Sequence, residues 1–243
     1  MATPGELIKT TASVLGLSEA TATTYYRSLR EAGLVTKGGR GPSAPNMTAR
    51  DAAQLLIAAG GSRFEKDTAE KIVRDFDRVQ SFEDAHRLFT PDPANPKGQM
   101  ILPHGQILGD GAWVLDDFSI PQLQALPARH SFGDALTATI EAAMANAFAA
   151  ACGADGSHSI TVYVHGPEPH AGIEIDLAGD KFIYKEEVGY QLVDQIDKRP
   201  ANYVEVEEHI RRAYGDGDLE IIRKFTHRTI YAIARLMLGL EPT

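Results

Sequence analysis

Between Ser18 and Ala32 the chain places short hydroxyls first and arginines later: Ser18, Thr21, Thr23, Thr24, Arg27, Ser28 and Arg30. At helical spacing these fall opposite an inward stripe of Ala22, one of Tyr25 and Tyr26, Leu29 and Ala32. A helix surface of this kind suits double-stranded DNA. Short hydroxyls let the backbone approach the major groove, while arginines reach phosphates or guanine edges. The chemistry implied is recognition, with no catalytic step.

The elements that must hold this helix are legible from their ends. Thr3, Pro4 and Glu6 make a capping box with proline where its missing N–H costs nothing, and Gly16 stops the helix they start. Ile8, Thr11, Ala12 and Leu15 share one face of that helix, with Leu7 alongside. Ser18 is the N-cap of the second helix and Gly33 its end, so a helix, a tight turn and a helix follow one another. Leu34-Val35-Thr36 begins an extended run, Lys37 to Gly41 turns, and Ser43 to Met47 returns before Thr48 and Asp51 cap a third helix. This is the pattern of a wing. Its Lys37 and Arg40 stand where a wing meets phosphate or the minor groove, and Pro42 and Pro45 keep it short and partly irregular.

The run "LGLSEATATTYYRSLREAGLV" resembles the recognition-helix signature of bacterial winged helix-turn-helix regulators such as the MarR-like and IclR-like families. Its most specific elements are Gly16-Leu17-Ser18, Leu29, and Ala32-Gly33-Leu34-Val35. The resemblance implies base-facing positions for Thr21, Thr23, Thr24 and Arg27, and wing contacts for Lys37 and Arg40. It covers about the first quarter of the chain, departs from those families in taking its third core helix from Thr48 to Ala59, and does not extend past Gly60.

The composition, 43% hydrophobic and 23% charged, is that of a globular protein, and 243 residues suffice for two modest domains. The net charge of −9 is unevenly spread: residues 1–60 carry six Lys and Arg against four Asp and Glu, an excess of +2, which leaves −11 for the remainder. So small an excess predicts weak binding by one copy and hence a dimer or higher oligomer, most simply a homodimer. The N-terminus shows no basic stretch before an apolar core, and the most apolar run, Ala142 to Cys152, is interrupted by Asn146 and too short to span a membrane. With one cysteine and no disulfide possible within the chain, the expected location is cytoplasmic. Cys152, among alanines, reads as a packed side chain.

Beyond residue 60, an amphipathic helix over Phe64 to Gln80 and a short helix from Ser81 to about Phe89 read as a connector or dimerisation element, 61–90. The segment 91–130, with Pro91, Pro93, Pro96 and Pro103, reads as a linker, within which Trp113-Val114-Leu115 fits a strand and Ile120 to Leu126 a short helix after Ser119. A helix from Ser131 to about Ala151 then precedes strands at Ser159 to His165, Gly172 to Leu177 and Lys181 to Lys185. A helix over Glu205 to Tyr214, a fourth strand over Leu219 to Phe225 and a final helix capped by Thr226 complete a two-layer α+β domain, 131–243, with an antiparallel sheet. His158, His165 and His170, with Glu168 and Asp176, are a cluster of unspecific spacing; no metalloprotease, Cys-x-x-Cys, phosphate-loop or nucleophile-elbow motif occurs, and neither metal nor cofactor is expected. Arg223, Lys224, His227 and Arg228 form a basic group that could bind an anion or a second DNA phosphate but reads better as scattered cations around a helix entry.

The sequence thus points to an α+β chain with an N-terminal winged helix-turn-helix at 1–60, acting as a DNA-binding regulator and not as an enzyme. Ser18, Thr21, Thr23, Thr24, Arg27, Ser28, Lys37 and Arg40 are its contacts, and a protein or small-molecule effector is possible. The alternatives are a phage-type DNA-packaging or replication accessory, or another interaction module, and a metal-dependent enzyme in the C-terminal half.

Overall fold

The computed structural model describes residues 2–37, 46–62, 69–81, 87–92, 95–103, 106–107, 113–114, 119–127, 130–166, 169–179, 182–192 and 221–242. In chain order these form α1 (Pro4–Leu15), α2 (Glu19–Ala32), α3 (Ala49–Gly61), α4 (Ala69–Asp77), β1 (Val79–Ser81), β2 (Arg87–Asp92), β3 (Asn95–Pro103), β4 (Gln106–Ile107) and β5 (Trp113–Val114). There follow α5 (Pro121–Gln124), α6 (Phe132–Met144), α7 (Ala147–Cys152), β6 (Ser157–Gly166), β7 (His170–Gly179), β8 (Phe182–Leu192), β9 (Ile221–Thr226) and α8 (His227–Met237). The fold is α+β. The main sheet runs β3-β2-β8-β7-β6-β9, with β1 also pairing with β8, and every pairing is antiparallel.

Local chemistry starts the helices where the side chains allow. Thr3 with Glu6, Thr48 with Asp51 and Ser131 with Asp134 each close a capping box, worth about 1 kcal/mol apiece. Gly16 and Gly33 end α1 and α2 at φ of 68° and 77°, a backbone that side chains other than glycine adopt at a cost. Along β6, Ile160, Val162 and Val164 alternate into the core, opposite Ile175, Ile173 and Ala171 of β7.

The core is one body. Leu7, Tyr26 and Leu29 of the first two helices belong to the same buried cluster as Leu136 and Ile140 of α6, Ile160 and Ile173 of the sheet, and Ile230 of α8. The element that unites them is α3, in which every residue but Arg50 and Gly61 is buried. Leu55, Leu56 and Ile57 in succession make it apolar all round, so it cannot show one face to water and packs against α2, α4, α6, β6 and β9. The boundary expected at residue 60 is therefore not a break in the core.

The polar groups around α3 tie it in place. Arg50 donates to Asp134 Oδ1 at 2.7 Å and to Asp77 Oδ1 at 3.1 Å, joining α3 to α6 and α4. Burial pushes the Asp77 carboxyl above its ordinary value against the pull of Arg50. At Asp134 burial pushes the same way, but the Ser131 donors and the Arg50 guanidinium together hold the carboxyl below its ordinary value. At the other end of the helix Arg223 of β9 donates to the carbonyls of Gly60 and Ser62, satisfying α3's last turn. This accounts for one member of the basic group at 223–228 as a structural side chain.

Four sequence expectations are corrected. Residues 87–89, expected at the end of a helix, lie in β2, and the predicted helix over 64–80 is confined among the described residues to α4, with Val79 in a strand. The expected linker at 91–130 contributes β3, β4 and the end of β2, while β5 and α5 fall within the strand and the short helix expected at 113–115 and 120–126. Its prolines fit a sheet because Pro96 and Pro103 lie on the edge strand β3, while Pro91 sits at the register shift between Pro91 and Asp92. The three C-terminal strands are longer than predicted, and the expected helix at 205–214 lies outside the described residues.

His130, just before α6, is 2% exposed, and its Nδ1 lies 2.9 Å from the Pro127 carbonyl. That oxygen only accepts, so Nδ1 carries the proton. Burial holds the imidazole below its ordinary range, and burial, then the neighbouring His227, does the same to His158. The unfolded chain takes up protons on these rings first, so the stability they lend is complete above the unfolded value, about pH 6.5, and is lost as pH falls through the lowered folded values. Chemical denaturation midpoints are expected to fall on acidification below about pH 6.5, and His130→Gln to flatten that fall. An unchanged pH profile in the variant would show that His130 does not contribute.

Candidate nucleic-acid interface

Helix α2 stands on α1 and α3 through Ala22, Tyr26 and Leu29, all buried. Of the two tyrosines, Tyr26 is the core residue, its hydroxyl donating to Met47 Sδ at 3.6 Å, whereas Tyr25 is half-buried and donates to Ser62 Oγ at 2.9 Å. The outward face runs along Ala20, Thr24, Arg27 and Glu31, flanked by Glu19 and Arg30, and all six are exposed. Alanine leaves this face shallow at its first turn. Thr23 and Thr24 donate their hydroxyl protons to the carbonyls of Glu19 and Ala20, at 2.7 and 2.9 Å. Their oxygen lone pairs remain to accept from a base amino group.

The remaining sequence candidates divide. Ser18 caps α2, its Oγ accepting from Thr21 N at 3.0 Å and lying 2.8 Å from Thr21 Oγ1. Both therefore shape the helix start; Ser18 is exposed and Thr21 half-buried. Ser28 turns toward α4, where its Oγ accepts from Glu70 N at 3.4 Å, so it belongs to the packed flank and not to the outward face. Lys37 is exposed, and its ammonium folds over the C-cap of α2: a Cβ built on Gly33 would lie 3.6 Å from Lys37 Nζ. There it meets the negative end of the helix dipole. Arg40 and the expected wing tip lie outside the described residues.

What stands at the base of the expected wing is a carboxylate clamp. Asp51, 2% exposed, accepts from Thr36 N at 2.6 Å and Thr36 Oγ1 at 3.0 Å, and from Thr48 N and Thr48 Oγ1 at 2.8 Å each. Four donors compensate its burial and hold the two ends of the intervening segment beside α2. No strand forms among the described residues 34–37 and 46–48; Met47 N donates instead to Ala2 O at 2.8 Å. The sequence shows Asp51 as the partner of Thr48 because they are three apart. Its bond to Thr36 has no local signature.

Electrostatically the face is close to neutral. Arg27 and Arg30 are balanced on α2 by Glu19 and Glu31, and Arg50, part of the N-terminal excess, is engaged by Asp77 and Asp134.

The C-terminal histidines do not converge. His158 and His165 are seven residues apart on β6, which places them on opposite faces of the sheet and roughly 23 Å apart along it. His158 lies on the helix side, 2.7 Å from Tyr231 Oη and stacked on Phe148. His165 instead stacks on its cross-strand partner His170 at 3.7 Å. Asp176 accepts from Ser159 Oγ, and Glu168 lies outside the described residues. Cys152 is buried, with its Sγ donating to Ser157 O at 3.2 Å, and burial pushes the thiol up, away from reactivity. Among the described residues no helix is long and apolar enough to cross a membrane.

No family model, curated protein or solved structure matches the chain.

Proposed function

We propose that this protein is a cytoplasmic, sequence-specific DNA-binding regulator of transcription in which α1 and α2 act as a helix-turn-helix and residues 34–47 as its wing. The observation that carries the reading is the outward face of α2, where Thr24 and Arg27 stand exposed beside the small Ala20. Arg27 reaches a phosphate or a guanine edge, Thr24 meets a base amino group, and Lys37 with Arg40 adds sequence-independent affinity. The near-neutral face makes one copy a weak binder, so the regulator works as a homodimer, with the C-terminal layer serving to dimerise or to sense an effector.

The test is selection of bound fragments from a random duplex pool at several salt concentrations. The wild-type chain is expected to enrich one motif with affinity that falls with salt, and Arg27→Ala to weaken binding to it by about 1–3 kcal/mol. Thr24→Val is expected to alter the preferred motif, and Lys37→Ala to lower affinity evenly across sequences. No enriched motif and no salt dependence would overturn the reading.

A second reading, an interaction module in a DNA-packaging or replication assembly, is favoured by the balance of Glu19 and Glu31 against Arg27 and Arg30. It predicts capture of a protein partner that Arg27→Glu abolishes, without motif selection.

A further inference from the structure

Between α1 and the end of α8 lies an open groove of about 480 Å³, within the range of roughly 300–1,000 Å³ in which small molecules are bound. Residues 239–242, which form one wall, are held in place. Gly239 has φ of 74°, Leu240 N donates to Arg235 O at 2.9 Å, and Arg235 Nε donates to Glu241 O at 2.9 Å. Of the lining residues, Thr10, Ala232 and Leu236 are buried and make the floor, with Val14 half-buried beside them. Thr10 is 6% exposed, and its hydroxyl makes no hydrogen bond among the described residues. A hydroxyl so placed is costly without a partner, and the groove is the side from which a partner can come.

The rim is amphipathic and carries an excess of negative charge. Leu240, 49% exposed, supplies an apolar side chain, and Glu6, Lys9, Ser13 and Glu241 supply polar ones. Glu6 keeps Oε2 on the Thr3 cap, whose backbone and hydroxyl donors hold the carboxyl below its ordinary value, while its Oε1 has no bond among the described residues. Neither Lys9 nor Glu241 has an ion-pair partner among the described residues. Two carboxylates thus face the groove against one ammonium.

We propose that this groove binds a small organic ammonium ion, an amine with an apolar body. The ammonium donates to the Thr10 hydroxyl oxygen and to the carboxylates of Glu6 and Glu241, and the body covers Val14, Leu236 and Leu240. The uneven charge decides between ligand classes. An anion of the same shape would meet Lys9 but face two carboxylates, and a hydrocarbon would leave Thr10 without a partner. Only the consequence of binding rests on the regulator reading: α1 packs on both the proposed reading helix and α8, so a ligand held in the groove biases the position of α1 and with it that of α2.

Calorimetric titration of the full chain, without DNA, with 2-phenylethylamine and with 3-phenylpropionate tests the site. The amine is expected to bind with a Kd of about 1 mM or tighter, and the carboxylate at least about tenfold more weakly. Glu241→Gln and Thr10→Val are each expected to weaken amine binding about fivefold or more, whereas Lys9→Gln, which removes the like charge, is expected to strengthen it about twofold. Far-UV circular dichroism checks that each variant is folded, and Thr10→Val preserves the shape of the side chain. No amine binding by the wild-type chain, equal affinity for the carboxylate, or equal weakening by Lys9→Gln and Glu241→Gln would overturn the proposal. In the duplex selection, saturating amine is expected to change the affinity for the enriched motif about fivefold or more. Amine binding that leaves DNA affinity unchanged supports the site and overturns its part in regulation. Amine binding by a chain that enriches no motif supports the site and removes the regulator reading.

Discussion

A fragment comprising residues 1–61 is expected to be largely unfolded by far-UV circular dichroism and to select no DNA motif, although it contains the entire proposed reader. The cause is α3. Nearly the whole helix is buried, partly by α1 and α2 but largely by α4, α6, β6 and β9, all of which follow residue 61. Without them the fragment would hold Leu55, Leu56 and Ile57 against only two helices, too little apolar burial to offset the conformational entropy of ordering the chain. The Arg50 ion pairs with Asp77 and Asp134 and the Arg223 bonds to the end of α3 would also be missing. A fragment with native helix content and cooperative melting would show that the reader is an autonomous domain. The test bears on mechanism, because a reader sharing its core with the sheet responds to whatever binds or dimerises the rest of the molecule.

Gly156→Ala is expected to destabilise the protein by about 3 kcal/mol or more, read as a large drop in urea midpoint or as failure to fold. Gly156 sits where the chain passes from α7 into β6. A Cβ there would lie 2.6 Å from the Ala178 carbonyl oxygen and would also collide with the backbone oxygen of Cys152. Both obstacles are backbone, fixed by α7 and by the β6–β7 ladder, so no side-chain rotation relieves them. Gly5→Ala is the matched control. Nothing lies within 4 Å of a Cβ at Gly5 in α1, and replacing glycine in a helix stabilises by roughly 0.5–1 kcal/mol. Equal stabilities for the two variants would contradict the close approach of α7 to the sheet.

The helix starts and stops were legible because their causes lie within a few residues. The three capping boxes, the glycine ends of α1 and α2 and the alternation along β6 and β7 are set by local hydrogen bonding and side-chain period. The strands between 87 and 103 were not legible. Prolines at 91, 96 and 103 mark a linker by composition, and only the location of β3 at the sheet edge and the register shift in β2 make them compatible with strands. Within the candidate site, the outward placement of Thr24 and Arg27 followed from helical period alone. Ser28 has the same period but meets α4, and Thr36 meets Asp51 from fifteen residues away.

By itself the sequence determined where each N-terminal helix begins and ends and which face of α2 carries hydroxyls and arginines, because caps and periodicity act over one or two turns. Only the tertiary structure decided which of those side chains remain available. Arg50, Ser28 and Arg223 are taken up by contacts between elements distant in sequence, and the groove between α1 and the end of α8 joins residues more than two hundred positions apart. Such contacts depend on how apolar faces find one another, and a face records that it must be buried without recording what buries it.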